Sequence, residues 1–251
     1  MGITSAEGSE KRILIIGATS DLGSITCHDL AKKGYSILLI GRSENKLKEL
    51  NDLLPGVHQM AIVDLLIPDQ LTDIIVNNAN EYGGFSGGVY CAGVHSMMSI
   101  RKSTYLDFEQ TYRVNCGGAL AMIKAFTRKK VRKNDHTSLV LLSSVSQSVG
   151  EQGVAAYAAS KGALGSLCRC AALELAKDKV TVNCIAAGMI KTSLNIGYQG
   201  VAPSGHFQQL SELHPLGFGS PSDISEAIIY LLESRWTTGS TLYVDGGYTC
   251  R

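Results

Sequence analysis

Arg12-Ile13-Leu14-Ile15-Ile16-Gly17-Ala18-Thr19-Ser20-Asp21-Leu22-Gly23 sets the class of fold to expect. Its first five residues form a short, almost unbroken apolar run, the mark of a strand buried on both faces. A glycine-bearing turn follows. Ile25, His28, Leu30 and Ala31 then continue with helical spacing to Gly34. In such a strand–turn–helix unit the glycines let the backbone approach an anion, and the helix amino end offers unpaired N–H groups. A plain strand-to-helix turn would read the same way, so the neighbouring elements have to decide.

Ser36-Ile37-Leu38-Leu39-Ile40 reads as a second buried strand ending at Gly41-Arg42. It ends about twenty residues past the loop, where a dinucleotide's ribose is read. An acid there favours NAD, whereas an arginine suits the 2′-phosphate of NADP; a surface arginine capping a strand is the plainer alternative. Asn45 to Leu54 is expected to be a helix, Met60 to Val63 a third strand with Asp64 at its end, and Leu71 to Asn80 a helix. Gly88 to Cys91 is expected as a fourth strand before Ala92-Gly93. Asp64, beside the same crevice, is a candidate acceptor for an adenine amino group. Strands alternating with helices imply an α/β fold, a doubly wound parallel sheet with helices on both faces.

The totals agree. A chain of 251 residues, 45% hydrophobic and 18% charged, is ordinary for a globular protein with a sizeable core. Residues 1–10 read as a loose polar tail and 11–251 as a single domain. The net charge of +1 predicts no general attraction to nucleic acid or membrane. No apolar run reaches transmembrane length and the start lacks a signal peptide's apolar core, so a cytoplasmic protein is expected. Seven cysteines without paired spacing read as free thiols in a reducing compartment rather than a metal site.

Further along stands Tyr157-Ala158-Ala159-Ser160-Lys161, with Ser144 upstream. A tyrosine and a lysine four apart lie one helical turn from each other. Free tyrosine, with a pKa of about 10, exchanges protons poorly at neutral pH; a nearby ammonium favours the phenolate. The pair alone is weak evidence, since ten tyrosines give about half a chance match per chain. The helix carrying it has a core stripe at Leu164, Leu167, Ala171 and Leu175, with small residues on its other faces.

Taken in order, these motifs resemble the short-chain dehydrogenase/reductase family, in its subclass of roughly 250 residues. The likeness runs from Arg12 to about Tyr248. Gly17 and Gly23 match the glycine loop, and Val114-Asn115 the catalytic asparagine. Ser144 matches the serine ending the fifth strand, thirteen residues before the tyrosine, and Tyr157 and Lys161 the Tyr-x-x-x-Lys pair. Ala187-Gly188 with Thr192, and Thr238 to Gly247, match the turn after the sixth strand and the last strand. The resemblance implies a Rossmann fold and a hydride-transferring oxidoreductase using NADP, with NAD as the alternative. It implies catalysis by Ser144, Tyr157, Lys161 and Asn115. Ser144 would place the carbonyl, Tyr157 exchange its proton, Lys161 lower the tyrosine pKa and bind ribose, and Asn115 hold a water. Cofactor contacts are implied at Gly17, Thr19, Ser20, Asp21, Leu22, Gly23, Arg42, Asp64, Leu65, Cys91, Ala92, Gly93, Tyr157, Lys161, Gly188, Ile190 and Thr192, with no metal. It also implies a homotetramer or homodimer through the small-residue helix.

Three positions depart from the pattern. Asp21 stands for the loop's middle glycine and is expected to point away from phosphate. Tyr90-Cys91 replaces an asparagine pair, weakening the expected ties between strands. Ala187 replaces a proline and loosens its turn. Residues 193–220 read as a mobile flap over the site. Tyr198, Phe207, His206, Met97, Met98, His95 and Gln152 are candidate pocket walls. Arg128-Lys129-Lys130-Val131-Arg132-Lys133 carries five positive charges in six positions. It reads first as a solvated helix end and second as a dock for acyl carrier protein. Length and ending resemble the 3-oxoacyl thioester reductases of fatty-acid synthesis. A sugar, polyol or small ketone is the rival substrate class, and a non-catalytic cofactor sensor the remaining alternative.

Overall fold

The computed structural model describes residues 11–133, 135–193 and 206–250. The expected tail and residues 194–205 of the expected flap, Tyr198 included, lie outside the described residues, as do the side chains of His206 and Phe207. Seven parallel strands form one sheet: β1 Arg12–Ile16, β2 Ser36–Gly41, β3 Gln59–Ile62, β4 Gly87–Tyr90, β5 Thr137–Ser144, β6 Val180–Ala187 and β7 Thr241–Val244. Their order is β3-β2-β1-β4-β5-β6-β7. The order reverses between β1 and β4, and a crevice opens at the carboxyl ends of the strands beside such a switch point.

The buried runs feed two cores. Leu14, Ile16, Leu38, Ile40, Leu139 and Leu141 face one, with helices α3 Asp69–Tyr82, α5 Gly118–Phe126 and α6 Ala155–Leu175. Ile13, Ile15, Ile37, Leu39, Val140 and Leu142 face the other, with α1 Asp21–Lys32, α2 Glu44–Leu53 and α8 Pro221–Glu233. Alternation along a strand sends neighbours to opposite faces, so a continuous apolar run needs helices on both. The two edge strands show exposed hydrophobic side chains, Met60 and Ile62 in β3 and Tyr243 in β7. Arg12 opens β1 yet is buried; its guanidinium donates to Asn78 Oδ1 at 2.7 Å and to the Gly83 carbonyl.

Two shorter helices complete the site's surroundings, α4 Tyr105–Tyr112 and α7 His206–Glu212. Between α4 and α5 the chain widens into one π-helical turn, Arg113–Gly117, which contains Asn115. A wide turn leaves carbonyls without their usual partners. Tyr90 supplies one: its hydroxyl donates to the Val114 carbonyl. The tyrosine fits because residue 118 is glycine; a Cβ there would collide with the phenol. The departure at Tyr90 therefore does not weaken the sheet as expected. It replaces side-chain amide ties with a phenol tie from β4 to the π turn.

Candidate active site

Gly17 has φ +83°, and a Cβ there would lie 2.7 Å from the Ala92 nitrogen. The loop thus presses against the end of β4, at the switch point. Ser20 caps α1, its hydroxyl accepting from the Gly23 N–H at 3.0 Å. A carbon on Gly23 would run into the Gly17 carbonyl, so helix and loop close tightly. Two adjoining cavities, about 500 and 540 Å³, share Thr19, Ser20, Gly93 and Val94 in their walls and form one elongated cleft over the strand ends. Gly41, Arg42, Asp64 and Leu65 line one end, with Arg42 exposed. Ser144, Tyr157 and Lys161 line the other, with Gly188, Ile190 and Thr192 opposite. Asp64 turns part of its carboxylate inward to its own loop, Oδ1 accepting from the Leu66 N–H at 3.0 Å.

Ser144 ends β5, and Tyr157 and Lys161 occupy the first two turns of α6. Ser144 and Tyr157 share the cleft wall, near enough for the hydroxyl to act on the phenol; the Ser144 hydroxyl itself donates to Ser146 Oγ at 3.2 Å. The Lys161 ammonium donates to the Leu142 carbonyl at 2.7 Å and lies 5.6 Å from the Tyr157 ring centroid. Burial drags the Lys161 pKa down to about 8, against the neighbouring thiols of Cys184, Cys91 and Cys116, which raise it. Burial likewise pushes the Cys91 thiol up to about 12, holding it neutral. The expected depression of the Tyr157 pKa by Lys161 is not what dominates. Burial of the phenol raises it, and the Ser144 hydrogen bond is the opposing influence. Desolvation acts on the charged phenolate and outweighs an ammonium that is itself engaged by a carbonyl. Tyr157 is therefore held protonated, the form that can donate.

Asn115 is wholly buried. Its Oδ1 accepts from the Val94 N–H at 2.7 Å; its Nδ2 donates to the Val94 carbonyl and to Ser160 Oγ, each at 2.9 Å. Ser160 in turn donates to the Tyr157 carbonyl at 2.7 Å. The expected water-holding task thus falls on an amide already committed to protein, and the side chain ties the β4 loop to α6. Asp21 also differs from expectation. It lines the cleft instead of pointing away, and its carboxylate accepts from the Ser193 N–H across the mouth. That donor and the α1 amino end offset its charge.

His95 lies edge-on to Tyr157, ring centroids 4.6 Å apart, and burial lowers its pKa while Glu151 raises it. Glu151, Met189, Leu210, His214 and Tyr248 also line this half of the cleft, and sequence reading passed over them. Only Glu151, between Ser144 and Tyr157, carried a usable positional signal. Met97 instead packs beside Gly153. In the basic run, Arg132 is mostly buried, paired with Asp178 at 2.7 Å and donating to the carbonyls of Phe126 and Thr127. It is structural, not a solvated charge.

The family pattern described as enoyl-(acyl carrier protein) reductase matches residues 17–249. A glucose 1-dehydrogenase from Gluconobacter oxydans is 30% identical, over 95% of this chain and 92% of its own. A 3-oxoacyl-[acyl-carrier-protein] reductase from Rickettsia prowazekii is 27% identical, over 94% of this chain and 96% of its own. The solved structure of a short-chain type dehydrogenase/reductase from Mycobacterium ulcerans is similar, with a TM-score of 0.88 and 26% identity, over 96% of this chain and 90% of that one. ElxO with NADP bound has the same fold, with a TM-score of 0.87 at 24% identity over 96% of this chain and 100% of its own.

Proposed function

The chain belongs to the short-chain dehydrogenase/reductase family of oxidoreductases, and from that premise we propose that it reduces a carbonyl, or oxidises the matching alcohol, with NADP(H). The observation that carries this is the convergence of Ser144, Tyr157 and Lys161 on the cleft that begins at the glycine loop. The cleft suits a dinucleotide. Gly17 and Gly23 admit no side chain where the backbone must come close, and the α1 amino end faces the loop. Gly17, Thr19, Ser20, Leu22 and Gly23 would cradle the diphosphate. Arg42, Asp64 and Leu65 would meet the adenosine end, and Cys91, Ala92 and Gly93 the middle. Gly188, Ile190 and Thr192 would face the nicotinamide. Arg42 beside Gly41 favours a 2′-phosphate, hence NADP over NAD, and ElxO was solved with NADP bound.

The bound cofactor supplies or accepts the hydride. Ser144 fixes the substrate oxygen beside the phenol. Tyr157 gives that oxygen a proton in reduction and takes it back in oxidation, a task suited to a phenol kept neutral by burial. Lys161 holds ribose hydroxyls and favours the phenolate once the proton has left. Asn115 keeps Val94 and Ser160 in register with both. An intact trio of this kind argues against a non-catalytic sensor.

A 3-oxoacyl thioester is the leading substrate, on the likeness to 3-oxoacyl reductases. The basic run does not add to it within one chain. Thr137 to Ser144 is an eight-residue strand, so the run lies at the far end of the sheet, about 25 Å from the serine. Glu151 and His95 in the substrate half favour a second reading, a hydroxylated carbonyl such as a sugar, since a carboxylate accepts from hydroxyls. Exposed Tyr105, Leu120 and Leu173 on α4, α5 and α6 support pairing of copies as a homodimer or homotetramer. The test is NADPH oxidation against acetoacetyl thioesters, simple ketones and keto-sugars, repeated with NADH and with Tyr157→Phe. That variant is expected to bind NADPH and lose nearly all turnover. An undiminished rate overturns the assignment of the acid.

A further inference from the structure

His214 is buried and joins three segments that are far apart in sequence. Its Nδ1 lies 2.6 Å from the Leu210 carbonyl at the end of α7, and its Nε2 lies 3.2 Å from the Met189 nitrogen in the loop after β6. Its ring stacks on Tyr248 with centroids 4.5 Å apart, and Phe218 meets it edge-on at 5.4 Å. The two polar partners fix the chemistry. A carbonyl only accepts, so Nδ1 carries the hydrogen; a backbone N–H only donates, so Nε2 presents its lone pair. One neutral tautomer satisfies both bonds.

Met189 stands between Gly188 and Ile190, in the loop expected to face the nicotinamide. Its carbonyl accepts from the Gly219 N–H at 3.0 Å, and the Gly188 N–H donates to Val244 at 2.9 Å. The Lys191 N–H also donates to the Gly219 carbonyl at 3.0 Å, and His214 adds an anchor on the Met189 N–H, in a loop whose usual proline is Ala187. We propose that His214 is a positioning residue: in its neutral Nδ1–H form it clamps the Met189 backbone to the end of α7, fixing the loop against which the nicotinamide half of the cofactor docks. This rests on the reading of residues 188–192 as a cofactor contact.

The test titrates NADPH, followed by its own fluorescence, against wild type, His214→Gln, His214→Asn and His214→Leu. Glutamine can bring a carbonyl oxygen to the Met189 N–H; asparagine is too short, and leucine has no acceptor. Loss of one net hydrogen bond is expected to weaken NADPH binding by about tenfold in the leucine and asparagine variants. The glutamine variant is expected to recover most of that. Binding of 2′-phosphoadenosine diphosphate-ribose, which lacks nicotinamide, is expected to stay unchanged in all three, whereas general damage to the fold would weaken it too. Equal NADPH affinity in wild type and His214→Leu overturns the proposal, as does failure of glutamine to differ from asparagine. Should leucine prevent folding, the glutamine–asparagine contrast still decides. A wild type that binds neither compound refutes the cofactor reading itself, an outcome distinct from all of these.

Discussion

Lys161→Met is expected to make the protein more stable while abolishing turnover. Burial lowers the lysine from its ordinary 10.5 to about 8. At about 1.4 kcal/mol per pH unit, that drop corresponds to about 3 kcal/mol of destabilisation carried at neutral pH. The side chain is 4% exposed, so solvent offers little relief. Methionine removes the charge and fills similar space, but it forfeits the bond to the Leu142 carbonyl, a loss of about 1–2 kcal/mol. The net gain is about 1–2 kcal/mol, or roughly 2–8 °C in Tm for a domain of this size. The sign with pH follows from proton counting. Below about pH 8 both folded and unfolded lysine are charged, and the full cost is present. Between 8 and 10.5 the unfolded chain holds a proton that the folded one lacks, so wild-type stability rises with pH relative to the variant. Denaturant unfolding of both proteins at pH 7 and pH 9.5 measures this directly. A variant that is less stable at pH 7, or a difference that does not shrink at pH 9.5, refutes the reasoning.

Tyr90→Phe leaves the Val114 carbonyl of the π turn without its donor and is expected to cost about 1–3 kcal/mol in urea unfolding. It should also lower turnover, because Asn115 sits in the same turn. Arg42→Ala is expected to raise the KM for NADPH by about tenfold or more while leaving that for NADH nearly unchanged, since only the former carries a 2′-phosphate; steady-state kinetics with both cofactors checks it. Gly23→Ala is expected to abolish NADPH binding or the fold itself, because its methyl would strike the Gly17 carbonyl. Circular dichroism and fluorescence titration separate those two outcomes from an unaffected protein, which would contradict the close approach.

Legibility followed the range of the interactions involved. The buried runs at Arg12–Ile16 and Ser36–Gly41 announced themselves, because a strand covered on both faces has no room for polar residues. The Leu164, Ala171 and Leu175 stripe was equally plain, since helical periodicity is local. Tyr90 looked like damage. Its compensation lies at Gly118 and Val114, and nothing in either stretch alone links them. Asp21 was read from its own turn, whereas its carboxylate is engaged by Ser193, more than a hundred residues later. His214 gave no signal, because its meaning comes from Met189 and Tyr248, brought to it by the return of the chain.

The order of apolar runs, glycine turns and helical stripes determined the α/β architecture and the positions of Ser144, Tyr157 and Lys161, since each rests on hydrogen bonding and burial within a few residues. The state of those groups was set by packing between elements far apart in the chain. Charge at Lys161 and Tyr157 depends on how completely distant strands and thiols exclude water. Desolvation is a property of the packed surroundings, and no spacing along the chain encodes it.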